Sequence, residues 1–167
     1  MSTIRLVDVG PRDGLQSEQK VLPTATKVEF IRRLVAAGIA HVEATSFVSP
    51  KRVPQMADAK EVIAGLVAAK IPVQKIGLAL NVKGCERAIE AGVDEVGFVL
   101  VSTDTYSQRN QGAPVSRSIE IWREIHALCR AAGLQCNVII ASAFGCPFEG
   151  EVPTSRPLEL AEALLET

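Results

Sequence analysis

The stretch IEAGVDEVGFVL, residues 89–100, places a helix end directly before a strand. Its Ala-Gly pair is typical of a helix terminus, because a glycine beyond the last turn can adopt the left-handed conformation that closes a helix. The apolar run that follows is typical of a strand buried on both faces. The same arrangement recurs as VAAGIAHVEA at 35–44 and as RAAGLQCNVII at 130–140. The chain therefore repeats one helix-to-strand unit.

Extending outward from these three units, we predict five strands that alternate with five helices. A capping box at 26–29, followed by apolar residues on one face, predicts an amphipathic crossover helix. The predicted strands lie near 4–9, 40–44, 74–80, 95–101 and 136–142, and the helices near 26–37, 56–69, 84–91, 116–132 and 157–166. Alternation of this kind predicts an α/β fold in which helices cover a parallel sheet.

Alternation alone fits either an open doubly wound sheet or most of a (β/α)8 barrel. The turn after the first strand reads GPRDGLQ, residues 10–16, and lacks the G-x-G-x-x-G pattern of a dinucleotide-binding sheet. Polar residues instead follow several predicted strands, namely Arg12, Asp13, Glu43, Asn81, Ser102, Asp104 and Ser142. Barrel enzymes build their active sites from such a ring at the C-terminal strand ends, so we predict a TIM barrel.

Two of these strand ends carry the candidate chemistry. Arg12 and Asp13 lie between a buried strand and a glycine, so their side chains can project to opposite sides. A carboxylate suits a hard divalent cation, and a guanidinium suits a developing enolate or carboxylate oxygen. Glu43 ends the next strand, where a barrel would bring it close enough to orient Arg12. The alternative for an Arg-Asp pair is an ion pair on a surface loop.

Four motifs carry a resemblance to a known family: VGPRDGLQ at 9–16, EATSFVSPK at 43–51, VPQM at 53–56 and GCPFEG at 145–150. They resemble, in order, the signatures of the 3-hydroxy-3-methylglutaryl-CoA lyase family. The resemblance implies a carbon–carbon lyase that cleaves 3-hydroxy-3-methylglutaryl-CoA to acetoacetate and acetyl-CoA. It also implies a Mg2+ or Mn2+ cofactor and a place in leucine catabolism and ketone body metabolism.

The resemblance further implies a role for each matching residue. Asp13 would be a metal ligand, Arg12 would stabilise the enolate oxygen of the departing thioester, and Glu43 would hold Arg12. The residues implied to line the pocket or border the acyl-CoA are Gln16, Ser46, Asn110, Lys51 and Arg109. The last four could instead be solvated loop residues.

The chain lacks other features of that family. It has no His-x-His pair, and no counterpart of the family's late asparagine or of its catalytic thiol on a late Gly-rich loop. His41 begins a strand and His126 lies in an apolar-periodic helix, so both are predicted to be structural. The motif around Cys146 resembles the Gly-rich loop that carries the family's catalytic thiol. In the family, however, the motif at this earlier position shapes the barrel rim, so we do not assign Cys146 as acid or base.

A complete barrel of this class needs about 250 residues, whereas this chain has 167. Residues 1–167 are therefore predicted to be the N-terminal part of one TIM-barrel catalytic domain, with its first five β/α units and without strands six to eight. Such a half-barrel exposes sheet edges and apolar inner faces, so we expect either a fragment of a longer product or a second chain that covers them. We predict that it is inactive alone and forms a homo-oligomer.

Composition narrows the class of partner. A net charge of -1 with scattered signs gives no basic stripe, so nucleic acid is not expected. The sequence shows neither a signal peptide nor the roughly 20 apolar residues needed to cross a bilayer. We therefore predict a cytoplasmic protein with an acyl-CoA substrate and no membrane partner. The four cysteines form no CxxC pair and are expected to be reduced.

Two other hypotheses stay open. One keeps the fold and changes the reaction, to a citramalyl-CoA lyase or to a condensing synthase of the isopropylmalate and homocitrate type. Those synthases share the Arg-Asp strand end, but the longer motifs at 43–51 and 145–150 favour the lyase family. The other hypothesis is a non-catalytic half-barrel that assembles with a partner or binds acyl-CoA weakly.

Overall fold

The computed structural model describes residues 4–166. Its main sheet has five parallel strands, each paired with the next one along the chain. The strands are β1 (Val7–Asp8), β2 (His41–Ser46), β3 (Gln74–Leu78), β4 (Glu95–Val101) and β5 (Gln135–Ala141). The helices are α1 (Thr24–Ala36), α2 (Ala59–Ala68), α3 (Val82–Ala91), α4 (Asp104–Gln111), α5 (Val115–Ala131) and α6 (Ser155–Leu165). An antiparallel hairpin of β6 (Gly145–Cys146) and β7 (Gly150–Glu151) follows β5.

The strand order decides between the two architectures that the sequence left open. In a doubly wound sheet the strand order reverses at a switch point, whereas here the order β1-β2-β3-β4-β5 runs without reversal. Sequential parallel order is the topology of the (β/α)8 barrel. The described residues therefore form five β/α units of a barrel, which confirms the predicted fold class.

The helix ends confirm the repeated unit that decided the fold. Each of α1, α3 and α5 is followed by a glycine with positive φ, at +99° for Gly38, +84° for Gly92 and +68° for Gly133. A side chain would be strained in that conformation, which glycine adopts freely. The short loops that result lead directly into β2, β4 and β5.

The hydrophobic core lies between the sheet and the helices. Its largest fully buried side chains include Phe98, Ile31, Ile63, Leu66 and Ile125. Alternate residues of each strand point into this layer, because successive side chains of a strand face opposite sides. Cys85 and Cys129 also lie here as free thiols, with their sulfur atoms 3.8 Å apart. The remaining strand residues face the inside of the curved sheet.

Three local predictions were wrong. The capping box at 26–29 does not form, because α1 begins at Thr24 after Pro23 and has no side-chain cap. The helix predicted at 56–69 begins at Ala59, after a 3-10 turn at Pro54–Met56. The polar helix α4 was missed, because its sequence DTYSQRNQ has no apolar periodicity. It is stabilised instead by the Asp104 carboxylate, which accepts the Val115 N–H at 2.7 Å.

A polar network crosses the inside of the sheet at its N-terminal end. The Arg5 guanidinium, just before β1, donates two hydrogen bonds to the Glu95 carboxylate of β4, at 2.9 and 3.0 Å. Asn137 of β5 donates a third at 2.5 Å. The contact joins regions that are separated by two intervening strands, so the sheet is curled. Glu95 is only 2% exposed, so its carboxylate is buried, whereas the Arg5 side chain stays partly exposed.

The edges of the half-barrel expose apolar side chains, as the sequence predicted. Ile4 and Leu6 are 90% and 63% exposed beside the edge strand β1, and Ile139 of the other edge strand β5 is 52% exposed. Leu158 and Leu165 of α6 are also exposed. Among the described residues, no helix is long and apolar enough to cross a membrane.

Candidate active site

Arg12 and Asp13 lie in a π-helical turn at Gly10–Gly14, immediately after β1. The backbone N–H groups of both residues donate to the carbonyl of Val9, at 3.1 and 2.7 Å. One carbonyl thus fixes the turn that aims the two side chains. Turns of this kind are rare and occur frequently at functional sites, and this one stands at the C-terminal end of the sheet.

Arg12 bridges two carboxylates. Its Nη2 donates to Glu43 Oε2 at 2.6 Å, and its Nη1 donates to Asp13 Oδ1 at 2.9 Å. The Glu43 side chain is 5% exposed and that of Asp13 is 62% exposed. Both bonds are charge-assisted, which makes them stronger than neutral ones. The guanidinium is therefore held from inside the sheet by Glu43, while Asp13 faces the opening.

A break in the sheet register accompanies Glu43. Glu43 pairs with Ile76 of β3, and the register then shifts between Glu43 and Thr45. Irregularities of this kind re-aim side chains and are common next to active sites. The shift leaves Ala44 without a pairing partner in β3, between Glu43 and Thr45.

Burial raises the pKa of the Glu43 carboxyl above its ordinary value. The hydrogen bond and positive charge of Arg12 oppose that rise, and the negative charge of Asp13 adds to it. The sum is a raised pKa, so protonation of Glu43 would release Arg12 at a higher pH than an exposed glutamate would allow. The strength of the pair is therefore sensitive to acid.

The third nitrogen of Arg12 has no partner. Arg12 Nε is buried and makes no hydrogen bond with the described residues. A buried N–H left without an acceptor costs about 1–3 kcal/mol. An oxygen acceptor bound beside the guanidinium would recover that cost, so the site is built to receive an oxygen-bearing ligand next to Arg12.

Asp13 suits one position in a divalent-metal site. Its carboxylate is exposed, and only Oδ1 accepts a hydrogen bond from Arg12. Carboxylate oxygen is the donor type that Mg2+ and Mn2+ prefer. Within residues 4–166, no group of three or more His, Cys, Asp or Glu side chains is placed to hold a metal. The Asp13 carboxylate is therefore the group of this turn that could contribute one ligand to a divalent metal.

The family model described as HMGL-like matches residues 3–167. The chain belongs to the HMGL-like family. Hydroxymethylglutaryl-CoA lyase, mitochondrial, of Bos taurus is 39% identical over 162 residues, which are 96% of this chain and 49% of the relative. A 3-hydroxy-3-isohexenylglutaryl-CoA/hydroxy-methylglutaryl-CoA lyase of Pseudomonas aeruginosa is 40% identical over 161 residues, which are 96% of this chain and 53% of the relative. The chain thus spans about half the length of these curated relatives.

A solved structure supports the same assignment. The HMG-CoA lyase of Acinetobacter baumannii, in complex with coenzyme A and 3-methylmalate, superposes with a TM-score of 0.89 at 36% identity. The superposition covers 96% of this chain and 52% of that one. The predicted family and fold are confirmed, and the five β/α units correspond to part of an HMGL-like barrel.

The other predicted site residues of this HMGL-like chain lie near the same end of the sheet or beyond it. Ser46 ends β2, is completely buried, and its Oγ has no partner among the described residues. Gln16 follows the π-helical turn and is half-buried, while Asn110 is exposed on α4. Ser46 thus shares with Arg12 the property of an unsatisfied buried polar atom.

The two basic candidates differ in what they contact. Arg109 of α4 stacks on the Phe148 ring, with 4.2 Å between its Cζ and the ring centroid. Tyr106 meets the same ring edge-on at 5.4 Å. These contacts join α4 to the hairpin that follows β5. Lys51 is exposed in the loop after β2. The roles of Asn110, Lys51 and Arg109 toward acyl-CoA stay predictions.

Cys146 contributes to the rim of the barrel. It is 5% exposed, and its Sγ accepts hydrogen bonds from the Thr103 hydroxyl at 3.0 Å and from the Phe148 N–H at 3.4 Å. Burial favours the neutral thiol, but these bonds outweigh it and lower the pKa of Cys146. His126 stacks on Trp122 in α5 with ring centroids 5.7 Å apart, a packing contact that fits its structural prediction.

Sequence reasoning missed two residues of the inner face. Gly97 of β4 and Asn137 of β5 are paired in the sheet register, and Gly97 lies beside Glu43. Neither follows a strand end, so the search for polar residues at strand ends passed over both. Only the parity of the buried strand residues, Val96 and Phe98 outward and position 97 inward, could have indicated them.

Proposed function

We propose that this chain supplies the Arg12, Asp13 and Glu43 part of the active site of a hydroxymethylglutaryl-CoA lyase. The observation that carries the proposal is the largely buried Arg12 guanidinium, which is held by Glu43 and Asp13 and whose Nε–H has no acceptor among the described residues. This group can receive a substrate oxygen, and the printed names of the relatives support a hydroxymethylglutaryl-CoA substrate.

The proposed reaction is a retro-Claisen cleavage. The hydroxyl on carbon 3 of 3-hydroxy-3-methylglutaryl-CoA loses its proton and becomes the ketone of acetoacetate. The bond between carbons 2 and 3 breaks, and its electron pair moves onto the thioester as an enolate. A proton then adds to the enolate carbon and gives acetyl-CoA, so atoms and charge balance. In this proposal Arg12 binds the enolate oxygen, where the negative charge develops.

Glu43 acts through Arg12 rather than on the substrate. Its carboxylate fixes the guanidinium by a 2.6 Å bond, which keeps the free Nε directed at the ligand position before the ligand arrives. Preorganised charge of this kind is the largest single contribution in many enzymes. A divalent cation held in part by Asp13 would lower the pKa of the substrate hydroxyl.

Ser46 and Gln16 are proposed to contact the substrate near the strand ends, and Asn110 to border the acyl-CoA. For Ser46 the support is its buried Oγ without a partner among the described residues. The choice between Mg2+ and Mn2+ as the metal also stays a prediction, and a titration of activity with each metal would decide it. The cytoplasmic location, the homo-oligomer and the roles in leucine catabolism and ketone body metabolism also stay predictions, and cell fractionation and sedimentation would check the first two.

The first experiment separates binding from turnover. Isothermal titration of the 167-residue chain with 3-methylglutaryl-CoA, which lacks the reacting hydroxyl, measures binding without cleavage. We expect Arg12→Gln to weaken binding, because it removes the charge beside the free N–H. The matched control is Arg32→Gln, which removes an exposed arginine of α1 that pairs with Glu29. Equal binding by wild type and Arg12→Gln would contradict the proposal.

The second experiment measures acetyl-CoA release with Mg2+. The chain alone is compared with the same chain joined to the remaining β/α units of a relative, with the intact mass checked on each sample. We expect cleavage of 3-hydroxy-3-methylglutaryl-CoA only by the joined protein. Release from citramalyl-CoA instead would favour the alternative lyase. Binding without any cleavage by a folded joined protein would favour the non-catalytic hypothesis.

A further inference from the structure

Lys27 of α1 carries a buried positive charge. The residue is 3% exposed, although lysine is almost never fully buried unless it is paired. Its Nζ donates to the Asp58 carboxylate at 2.5 Å and to the main-chain carbonyl of Gln55, also at 2.5 Å. The second oxygen of Asp58 accepts the Thr24 hydroxyl at 2.6 Å. The ammonium of α1 is thus bound to the segment that connects β2 to α2.

Helix stability does not account for this ion pair. Lys27 is the fourth residue of α1, where the positive end of the helix dipole disfavours a cation. Asp58 directly precedes α2, a position at which an aspartate usually accepts a hydrogen bond from the first turn, but its side chain makes no such bond. Both residues therefore run against the preferences of their own helices. Positions where local preferences fail in this way are expected at functional sites.

The pair joins the loops that follow the first two strands. Both helices begin at the end of the sheet where the candidate site lies, because each helix follows its strand. Gln55, whose carbonyl accepts from Lys27, donates through its own Nε2 to the main-chain carbonyl of Glu18 in the loop after β1, at 2.7 Å. The neighbouring Met56 is 3% exposed, and its Sδ accepts the Thr45 hydroxyl of β2 at 3.7 Å. The loop after β2 is thus fastened to both strand ends.

Glu18 belongs to the same short run of turns as the candidate site residues. Its N–H donates to the Leu15 carbonyl at 3.2 Å, and the Ser17 hydroxyl donates to the Asp13 carbonyl at 3.4 Å. These bonds continue the π-helical turn that carries Arg12 and Asp13. The position of Glu18 is therefore coupled to the backbone that aims the Asp13 carboxylate.

We propose that the ion pair of Lys27 and Asp58 is a positioning element of the candidate active site. It holds the loop after β2 against the loop after β1, and through Gln55 it fixes the π-helical turn. The inference rests on the proposed function, because it assigns residues that orient that site. At 3% exposure Lys27 acts through its partners and not on a ligand.

The first measurement follows the loop after β1 in the 167-residue chain. Hydrogen exchange is compared by mass spectrometry for wild type, Lys27→Met and Gln55→Ala. Gln55→Ala keeps the carbonyl that Lys27 binds and removes only the bond to Glu18. We expect both variants to exchange faster at residues 14–18, with β4 unchanged. The increase should be about tenfold for Lys27→Met, because loss of a hydrogen bond from a charged group shifts a local opening equilibrium on that scale.

Lys75→Met is the matched control. Lys75 pairs with Asp94 at 2.5 Å, and its side chain is 14% exposed. This pair lies near the N-terminal end of β3, away from the strand ends that carry the candidate site. Its loss should leave exchange at residues 14–18 and ligand binding at their wild-type values.

The second measurement separates positioning from stability. The double variant Lys27→Met/Asp58→Asn leaves no unpaired buried charge, and replacing both members of a buried ion pair is often neutral for stability. Titration with 3-methylglutaryl-CoA and, in the joined protein, kcat for 3-hydroxy-3-methylglutaryl-CoA are measured beside urea stability. We expect the double variant to regain the stability that Lys27→Met loses, while its kcat stays about tenfold to a hundredfold below wild type, since small misplacements cost that much.

The outcomes distinguish the inference from the proposed function. If exchange at residues 14–18, binding and kcat return to wild type together with stability in the double variant, the pair only supports the fold and the inference is overturned. Equal effects of Lys75→Met and Lys27→Met would overturn it as well. In both cases the proposed function stands as long as wild type binds 3-methylglutaryl-CoA. If wild type does not bind it, the proposed function fails, and the inference fails with it.

Discussion

Replacing Arg5 with glutamine tests the charge network that curls the sheet. Arg5→Gln removes the cation that donates at 2.9 and 3.0 Å to Glu95, which is 3% exposed as a side chain. A hydrogen bond to a charged group contributes about 1.5–3 kcal/mol when it is buried. The Arg5 side chain is 42% exposed, so solvent screens it, and glutamine can keep one bond. We therefore expect a loss of about 1–2 kcal/mol in the free energy of unfolding at pH 7.

The pH dependence of that loss gives a sharper test. Burial would raise the pKa of the Glu95 carboxyl, but the hydrogen bonds of Arg5 and Asn137 outweigh burial and lower it below 4.5. A carboxyl whose folded pKa is lowered stabilises the protein above its unfolded pKa and loses that contribution as pH falls through the folded value. The difference between wild type and Arg5→Gln should therefore shrink once the pH falls below about 4.

Urea denaturation followed by fluorescence of Trp122, the one tryptophan of the chain, measures both effects. The matched control is Arg117→Gln, which removes a surface pair with Glu120 at 2.7 Å and should change stability much less. No loss at pH 7 would refute the estimated strength of the network. An undiminished loss at low pH would refute its electrostatic origin.

Three further outcomes are expected. In the joined protein, Arg12→Gln should lower kcat/KM for 3-hydroxy-3-methylglutaryl-CoA by about two orders of magnitude or more with the fold retained, and near wild-type activity would refute the role of Arg12. Asp13→Ala should raise the Mg2+ concentration needed for half-maximal activity, whereas an unaltered metal titration would remove Asp13 from the ligand set. Gly77→Ala should lower the free energy of unfolding, measured by urea denaturation, by about 1–3 kcal/mol, because the alanine Cβ would lie 2.8 Å from Phe47 and 2.9 Å from Val93. Equal stability of the two proteins would show that the side chains of Phe47 and Val93 can move to accommodate the Cβ.

The β/α order was predictable because its signals are local. A glycine that ends a helix and the apolar run after it lie within ten residues, as at Gly92 and β4. The polar helix α4 has no such signal, since its stability comes from contacts such as the Asp104 bond to Val115. The hairpin of β6 and β7 has strands of only two residues, too short for an alternating pattern.

The candidate site was predictable as far as strand ends determine it. Arg12, Asp13 and Glu43 come together because parallel neighbouring strands end at the same edge, which the sequence order already implies. The unsatisfied Arg12 Nε and the position of Gly97 beside Glu43 depend on burial and register across strands. Those properties belong to the assembled sheet, and no local pattern encodes them.

The sequence separation between Arg5 and Glu95 has a consequence for the order of folding. The two residues are 90 positions apart, whereas every pairing in the main sheet joins strands that follow one another in the chain. Consecutive units can pack soon after each is formed, because the loops they close are short. The bond between Arg5 and Glu95 must wait for the fourth strand. It should therefore slow unfolding more than it speeds folding, and a chevron plot of Arg5→Gln should move mainly in its unfolding limb.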